Sequence, residues 1–173
     1  PQILDNQEDE FSSLSPEIFN TLYQELSIAD QRIKDLDKRI MLLCKESTNC
    51  QRLMKVEGIG PLSASALISA IGDIHAFKNG RHLAAWLGLV PRQYSSGGKQ
   101  TLLGISKRGD RYLRTLLIHG ARAFISFAKR KSVWLEAVIK RCGKQKAYVA
   151  LANKNARVVW ALLAKQVDYQ STH

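Results

Sequence analysis

Two neighbouring stretches of the sequence combine hydroxyl groups, glycines and cations in a pattern that suits phosphodiester chemistry. Residues 94–99 read Tyr-Ser-Ser-Gly-Gly-Lys, and residues 107–114 read Lys-Arg-Gly-Asp-Arg-Tyr-Leu-Arg. A serine beside conformationally free glycines can approach a phosphate closely, and the first turn of a helix offers free N–H donors and a positive dipole end. Arg111 and Arg114 add planar pairs of donors that match phosphate oxygens. The pattern therefore favours a serine nucleophile held beside a backbone phosphate.

The serine stretch has a second interpretation, because Ser-Ser-Gly-Gly is also an ordinary loop composition. No histidine or carboxylate lies between Ser95 and Arg108 to act as a base. A serine here would need activating groups that are distant in the sequence, or that belong to another chain or domain. Local chemistry alone does not separate Ser95 from Ser96.

The charge of the chain is strongly positive and unevenly distributed. The 173 residues carry a formal net charge of +11. Residues 1–50 hold 10 acidic and 5 basic side chains, a net charge of −5, whereas residues 51–173 hold 21 basic and 5 acidic ones, a net charge of +16. Mixed signs would keep a surface soluble equally well. The basic part therefore predicts binding to an anionic polymer, with nucleic acid favoured over solubility alone.

The sequence gives no sign of a disulfide framework, a structural zinc site or a membrane segment. Cys44, Cys50 and Cys142 are odd in number and lack the spacing of zinc ligands. No run of eighteen apolar residues occurs, and the start lacks a basic stretch followed by a hydrophobic one. We expect a cytoplasmic protein that is nucleoid-associated when bound to DNA. Because the chain opens at Pro1 rather than methionine, we expect a processed product or a piece of a longer protein.

Periodicity and capping residues predict a mostly α-helical chain, with an N-terminal coiled-coil arm followed by a compact helical domain. We expect residues 1–14 to form an acidic, disordered lead, residues 15–50 the arm, and residues 51–173 a DNA-binding helical domain with the serine loop. The apolar residues of the arm repeat in steps of four and three: Leu22, Leu26, Ala29, Ile33, Leu36, Ile40 and Leu43. One amphipathic helix packed on its own domain is the alternative, and the two interpretations differ in oligomeric state.

Residues 53–72 have the pattern of a helix-hairpin-helix element, in which two helices are joined by a glycine turn. Gly58-Ile59-Gly60 would form the turn, and Pro61 fits the first turn of the second helix. Backbone amides at the start of that helix would face a DNA phosphate without reading sequence, so Gly58 and Gly60 are candidate nucleic-acid contacts. The same pattern can also serve only as a packing unit.

The remaining basic part is predicted to form helices on either side of the serine loop. We expect a short helix over residues 77–89, another from Asp110 onward with its cap at position 109 or 110, and a last pair over residues 133–141 and 147–165. Residues 101–104 give the only weak β signal. The tryptophans at positions 86, 134 and 160 have helical core spacing, which indicates packing rather than base stacking.

Four sequence motifs follow one another along the basic part of the chain. They are Gly-Ile-Gly at 58–60, Ala-Ala-Trp-Leu-Gly-Leu-Val-Pro-Arg-Gln-Tyr-Ser-Ser-Gly-Gly-Lys at 84–99, Gly-Ile-Ser-Lys-Arg-Gly-Asp at 104–110, and Leu-Arg at 113–114. Together they resemble the C-terminal domain of the insertion-sequence 110/1111 transposases, a family that includes the Piv DNA invertase. The resemblance covers residues 53–165, and the preceding arm is similar to the coiled-coil region of that family.

The resemblance implies a DNA recombinase whose chemistry is divided between two domains. Members have an N-terminal RuvC-like domain, in which four acidic residues bind divalent metal, and a C-terminal domain with a serine nucleophile in an aromatic-x-Ser-Gly context. Here that context is Tyr94-Ser95-Ser96-Gly97, which assigns the nucleophile to Ser96 with Ser95 as its competitor. Members act as dimers or tetramers and are guided by a structured bridge RNA that the element encodes.

This sequence departs from the family in its acidic residues. Between positions 46 and 168 it has four carboxylates, with no arrangement that resembles a metal-binding set: Glu57, Asp73, Asp110 and Glu136. We therefore expect the RuvC-like domain and its Mg²⁺ to lie outside this chain. We also expect the fragment to bind no cofactor and to be inactive alone.

Cations around the serine are expected to hold phosphates: Arg92, Lys99, Lys107, Arg108, Arg111 and Arg114. Simple surface solvation is the alternative for each of them. The expected partners are DNA, a bridge RNA and further copies of the chain through the arm. Two other functions remain open, a noncatalytic nucleic-acid-binding and dimerisation module, and a structural helical protein that would lack salt-sensitive affinity for nucleic acid.

Overall fold

The computed structural model describes residues 15–96 and 99–170, without the side chains at positions 95, 96, 99, 100 and 102. The described residues are mostly α-helical, which confirms the predicted fold class. The chain divides into two compact units, Pro1–Ile40 and Met41–His173. The predicted acidic lead, residues 1–14, lies outside the described residues.

A single helix, α1 (Ser15–Glu46), accounts for all described residues of the first unit and extends into the second. Its apolar seam is open to solvent, since Leu22, Leu26, Ile33 and Leu36 are each at least 54% exposed. Charged side chains elsewhere on the helix pair locally, as in the 3.6 Å contact between Lys38 and Asp35. An exposed heptad seam is compatible with the predicted coiled-coil arm, and pairing of the arm stays a prediction.

Two short helices follow, joined by the predicted glycine turn. Helix α2 (Thr48–Met54) is capped by the Ser47 hydroxyl, which accepts a hydrogen bond from the Cys50 N–H. Helix α3 (Pro61–Ile71) starts after Gly60 with its proline in the first turn, where the missing N–H needs no partner. These two helices flank the glycine turn, and both the helix-hairpin-helix assignment and its contact with DNA remain predictions.

Three helices, a 3₁₀ turn and a β-hairpin form the rest of the described part of the domain. Helix α4 (Gly80–Trp86) lies within the range 77–89 where one helix was expected, and a 3₁₀ turn (Ile74–Ala76) precedes that range. Helix α5 (Arg111–Phe127) is capped by the Asp110 carboxylate, which accepts from the Leu113 N–H at 2.8 Å. Helix α6 (Val133–Lys165) has a non-helical residue at Gly143, so it consists of two segments that meet where a break was predicted.

The core forms where α4 and α5 pack on α6, around fully buried leucines at positions 83, 87, 113, 117, 135 and 151. Trp160 supports this packing, because its indole N–H donates to the Phe77 carbonyl at 2.8 Å. Trp86 packs edge-on against the Phe77 ring at a centroid distance of 5.3 Å. Trp134 differs from the core role predicted for it. It is 39% exposed and carries the Lys154 ammonium 4.4 Å from its ring centroid.

The serine stretch lies in an antiparallel β-hairpin of strands β1 (Pro91–Ser96) and β2 (Lys99–Ile105), whereas a loop was predicted. Tyr94 pairs with Thr101 and Ser96 pairs with Lys99, and the two glycines between them in the sequence lie outside the described residues. A register shift after Pro91 adds one residue to β2, as in a β-bulge. A Gly-Gly dipeptide in the sequence is a common signal for a tight hairpin, which is consistent with strands on either side of it.

The cysteines provide a check on this packing. Burial, together with the neighbouring Cys50, raises the pKa of the Cys44 thiol to about 11, and Cys44 has no exposed surface. Cys142 is only partly buried. Because the thiolate is the reacting form, we expect iodoacetamide at pH 8 to label Cys142 at least about a hundredfold faster than Cys44. Peptide mass spectrometry would measure this, with all three cysteines labelled in denaturant, and equal native rates would contradict the packing.

Candidate nucleic-acid interface

The hairpin rises from a tightly joined root. The Ser106 N–H donates to the Val90 carbonyl at 2.8 Å, and the Lys107 N–H donates to the Gly88 carbonyl at 3.1 Å. At Gly109, φ is +132° and a Cβ atom would lie 1.9 Å from the Trp86 carbonyl oxygen, so no other residue fits without a shift of the backbone. The two ends of the hairpin are therefore held together by backbone contacts.

The predicted nucleophile, Ser96, is the last residue of β1 and pairs with Lys99 across the hairpin. The structure describes the backbone of Ser96 as part of the strand, and it does not describe the Ser96 side chain. Tyr94, two residues earlier on the same strand, is 72% exposed. The catalytic role of Ser96 stays a prediction, and so does phosphate binding by Lys99.

Four of the predicted phosphate ligands are exposed and lie on or next to the hairpin and the start of α5, and we call them the basic rim: Arg92, Lys107, Arg108 and Arg111. Arg92 lies on β1, Lys107 and Arg108 lie just after β2, and Arg111 begins α5. The only carboxylate between residues 91 and 114 is Asp110, which is engaged at the cap of α5. Within this stretch of the sequence, the basic rim therefore has little negative charge to offset its own.

The Asp110 cap also changes one expectation about the start of α5. Free N–H donors in the first turn were expected to receive a phosphate. The Leu113 N–H is already bonded to the Asp110 carboxylate at 2.8 Å, and that carboxylate places negative charge at the positive end of the helix. At least one of the expected donors is therefore occupied, and phosphate binding at the start of α5 remains a prediction.

Arg114 is placed differently from the other predicted cations. It is only 9% exposed, and its Nη1 atom donates to the carbonyls of Leu87 at 3.2 Å, Asp110 at 3.4 Å and Gly109 at 3.5 Å. Arg114 was one of the six cations predicted to hold a phosphate. In this arrangement the guanidinium is turned into the protein, so we leave Arg114 out of the proposed phosphate contacts.

The glycines of the helix-hairpin-helix pattern have two different surroundings. Gly58, with φ at +81°, packs its backbone on α5, where an added Cβ atom would lie 2.8 Å from the Gly120 carbonyl oxygen. Gly60 has no described atom within 4 Å of an added Cβ. Both border an open groove of about 680 Å³ between residues 54–60 and α5. Gly60 therefore stays available to a ligand, whereas the close approach at Gly58 serves packing.

No group of three or more histidine, cysteine, aspartate or glutamate side chains within residues 15–96 and 99–170 is placed to hold a metal ion. In the same part of the chain, no helix combines the length and apolar character needed to cross a bilayer.

Comparison with known proteins identifies the family of the domain that carries the hairpin. Residues 50–134 match the model of the transposase IS116/IS110/IS902 family. The chain is 49% identical over 157 residues to the transposase for insertion sequence element IS1111A of Coxiella burnetii, covering 88% of this chain and 43% of that protein. It is 36% identical over 149 residues to the transposase for IS1328 of Yersinia enterocolitica, covering 84% of this chain and 45% of that protein.

A third relative is the pilin gene-inverting protein of Moraxella bovis, which is 33% identical over 130 residues, covering 69% of this chain and 39% of that protein. The chain thus spans less than half the length of these curated relatives. The matched region contains the glycine turn, the serine hairpin and the basic rim. The chain belongs to the IS116/IS110/IS902 family of transposases.

Proposed function

We propose that this chain is the serine-bearing part of a DNA transposase, in which Ser96 attacks a DNA phosphate. The observation that carries the proposal is the placement of Ser96 on a hairpin whose root is tied by backbone hydrogen bonds and bordered by the exposed cations of the basic rim. Relatives named as transposases and as a gene-inverting protein support DNA strand exchange as the reaction.

The proposed step is a transesterification. The Ser96 oxygen forms a bond to phosphorus while the bond between phosphorus and the leaving nucleotide oxygen breaks, and the serine proton passes to a base. The leaving oxygen takes up a proton and becomes a free hydroxyl. In a second transesterification, a hydroxyl of another DNA strand attacks the phosphorus of the phosphoserine, and the Ser96 oxygen leaves and takes up a proton. The covalent intermediate stores the energy of the broken phosphodiester, so no separate energy source is needed.

The basic rim would hold the phosphates beside the reacting one. Arg111 and Arg108 carry guanidinium groups, which bind phosphate oxygens through two donors, whereas Lys107 acts as a compact charge. Lys99 pairs with Ser96 in the backbone register and is a further candidate to offset developing charge. The open face beside Gly60 would receive a second segment of polynucleotide without reading its sequence.

The divalent metal implied by the resemblance has no fitting set of donors among the described residues. We therefore place Mg²⁺ on the RuvC-like domain of the full-length protein and assign no step to it here. The same proposal includes a bridge RNA as guide, action on DNA in the bacterial cytoplasm, and dimers or tetramers joined through α1. The exposed apolar seam of α1 supports a second copy as its partner, because coiled-coil pairing would remove those leucines from water.

A noncatalytic module for nucleic-acid binding and dimerisation is the second candidate. The basic rim and the exposed seam of α1 favour it equally, since neither feature requires chemistry. A mass-spectrometric search for a nucleotide adduct on Ser96 separates the two, using full-length protein with its guide RNA and DNA ends. An adduct on Ser96 supports the nucleophile, and strand exchange without any adduct on the hairpin contradicts it.

Binding through the basic rim predicts a measurable salt dependence. Replacing Arg111 with glutamine should weaken binding of unrelated DNA sequences to a similar extent and lower the slope of log Kd against log salt by about one, because one phosphate contact is lost. Lys140→Gln, an exposed cation on α6 away from the hairpin in sequence, is the matched control and should change the slope less. Fluorescence anisotropy at several salt concentrations measures this, and equal slopes for the two variants would exclude Arg111.

A further inference from the structure

Arg114 reaches both ends of the serine hairpin from inside the fold. Its Nη1 atom lies 3.2 Å from the carbonyl oxygen of Leu87, four residues before β1 begins. The same nitrogen lies 3.5 Å from the carbonyl oxygen of Gly109 and 3.4 Å from that of Asp110, which follow the end of β2. One guanidinium nitrogen therefore contacts the segments that enter and leave the hairpin.

The charge of Arg114 is balanced in an unusual way. No carboxylate oxygen of residues 15–96 and 99–170 lies within 4.0 Å of its guanidinium nitrogens. Backbone carbonyls take the place of a counter-ion, and one of them belongs to Leu87 at the negative end of α4. A buried cation that loses such acceptors is left unsatisfied, so the carbonyls and the guanidinium hold each other in place.

Glycines make this arrangement possible at both ends of the hairpin. A Cβ atom at Gly88 would lie 2.9 Å from Nη1 of Arg114 and 2.7 Å from the Arg108 carbonyl oxygen. At Gly109 it would meet the Trp86 carbonyl oxygen. The two glycines let the entering and leaving backbones approach each other around the guanidinium.

We propose that Arg114 is a positioning residue that holds the two ends of the serine hairpin at a fixed distance from each other and thereby sets the position of Ser96 relative to the DNA phosphate. The effect on chemistry rests on the proposed function, whereas the effect on the hairpin does not. Arg114 holds no phosphate in this role. It acts on the reaction through the Leu87 and Gly109 carbonyls, and its loss should change the order of the hairpin more than the stability of the helical core.

Hydrogen exchange on the full-length protein without nucleic acid tests the structural half of the proposal. Arg114→Met removes the donors and keeps an apolar stem of similar length. We expect the Ser106 and Lys107 amides, which form hydrogen bonds across the root, to exchange at least about tenfold faster. Amides of residues 147–163, which hold most of the buried side chains of α6, should keep their exchange rates. Arg122→Met, an exposed arginine on the same helix, is the matched control and should leave both sets of amides unchanged.

Unchanged exchange at Ser106 and Lys107 would overturn the proposal, and so would equal acceleration of these amides and those of α6, which would mark Arg114 as a general stabiliser. If Arg114→Met does not fold, Arg114→Lys gives the same comparison, because it keeps the charge and a donor but not the planar geometry. A smaller acceleration confined to the same two amides supports positioning, and uniform acceleration contradicts it.

Kinetics on DNA test the catalytic half separately. Arg114→Lys should slow formation of the Ser96 adduct about tenfold or more, because misplacement of a nucleophile lowers its rate, while Kd for DNA stays within about twofold. A raised Kd with an unchanged rate would mean that Arg114 binds DNA, and would overturn positioning. If the parent protein forms no adduct at all, the proposed function fails, and the exchange result still decides whether Arg114 organises the hairpin.

Discussion

Replacing Ser96 with alanine is expected to abolish the covalent protein–DNA intermediate while leaving the affinity of the full-length protein for DNA nearly unchanged. The alanine removes only the hydroxyl oxygen that would form the bond to phosphorus, and the exposed cations of the basic rim remain. Loss of a serine nucleophile typically lowers the rate by several orders of magnitude, so strand exchange should fall at least about a thousandfold. Denaturing electrophoresis of labelled DNA detects the adduct, and filter binding measures the affinity.

Ser95→Ala is the matched control, because it removes the same hydroxyl one residue earlier on β1. We expect the Ser95 variant to retain the adduct and most of the strand exchange. The reverse pattern, with loss of the adduct only in the Ser95 variant, would transfer the role of nucleophile to Ser95. Adducts in both single variants and in the double variant would exclude the hairpin as the source of the nucleophile and favour the noncatalytic module.

The helices were largely predictable because their signals are local. Asp110 was expected as one of two possible caps for α5, and its carboxylate does accept a hydrogen bond from the Leu113 N–H. The break in α6 follows from Gly143, whose positive φ of +79° interrupts the helical geometry. Spacing of apolar residues and capping residues report such features directly, since neither depends on distant parts of the chain.

The hairpin was missed because its residues do not alternate between apolar and polar. Alternation signals a strand with one face on the core, whereas described residues on both strands are exposed, among them Arg92, Tyr94 and Thr101. The sequence carried a weak β signal at residues 101–104, which lie within β2, and a Gly-Gly dipeptide typical of tight turns. A strand without a buried face therefore gives only a weak signal in the sequence.

The cations around the serine could be listed from the sequence but not sorted by role. Arg111 and Arg114 are three residues apart on α5, yet Arg111 is exposed and Arg114 is buried. A usable signal did exist, because Arg114 shares a helical stripe with the buried residues Leu117 and Ala121. A cation at a core position points to acceptors within the protein, and those acceptors, the carbonyls of the hairpin root, become apparent only once the chain is folded.

The contact between Gly58 and Gly120 gives the largest expected effect on stability. An alanine in the interior of a helix normally stabilises it relative to glycine by about 1 kcal/mol. At position 120 the added Cβ atom would lie 1.9 Å from the Gly58 carbonyl oxygen, well inside contact distance. That oxygen belongs to the backbone, so relief requires moving the turn away from α5. We therefore expect Gly120→Ala to lower the free energy of unfolding by about 3 kcal/mol, at the upper end for overpacked sites.

Thermal denaturation followed by circular dichroism measures the effect, and a loss of that size should lower Tm by roughly 6–12 °C in a domain of this length. Gly104→Ala is the matched control, because no described atom lies within 4 Å of its added Cβ and its φ is not positive. The control should change Tm by less than about 2 °C. If Gly120→Ala instead raised Tm, helix propensity would dominate, and α5 and the glycine turn would have to lie further apart than the structure places them. The groove beside Gly60 is bordered by both Gly58 and Gly120. A lower Tm for Gly120→Ala would mean that backbone packing between these glycines fixes the width of the groove, and a higher Tm would mean that it does not.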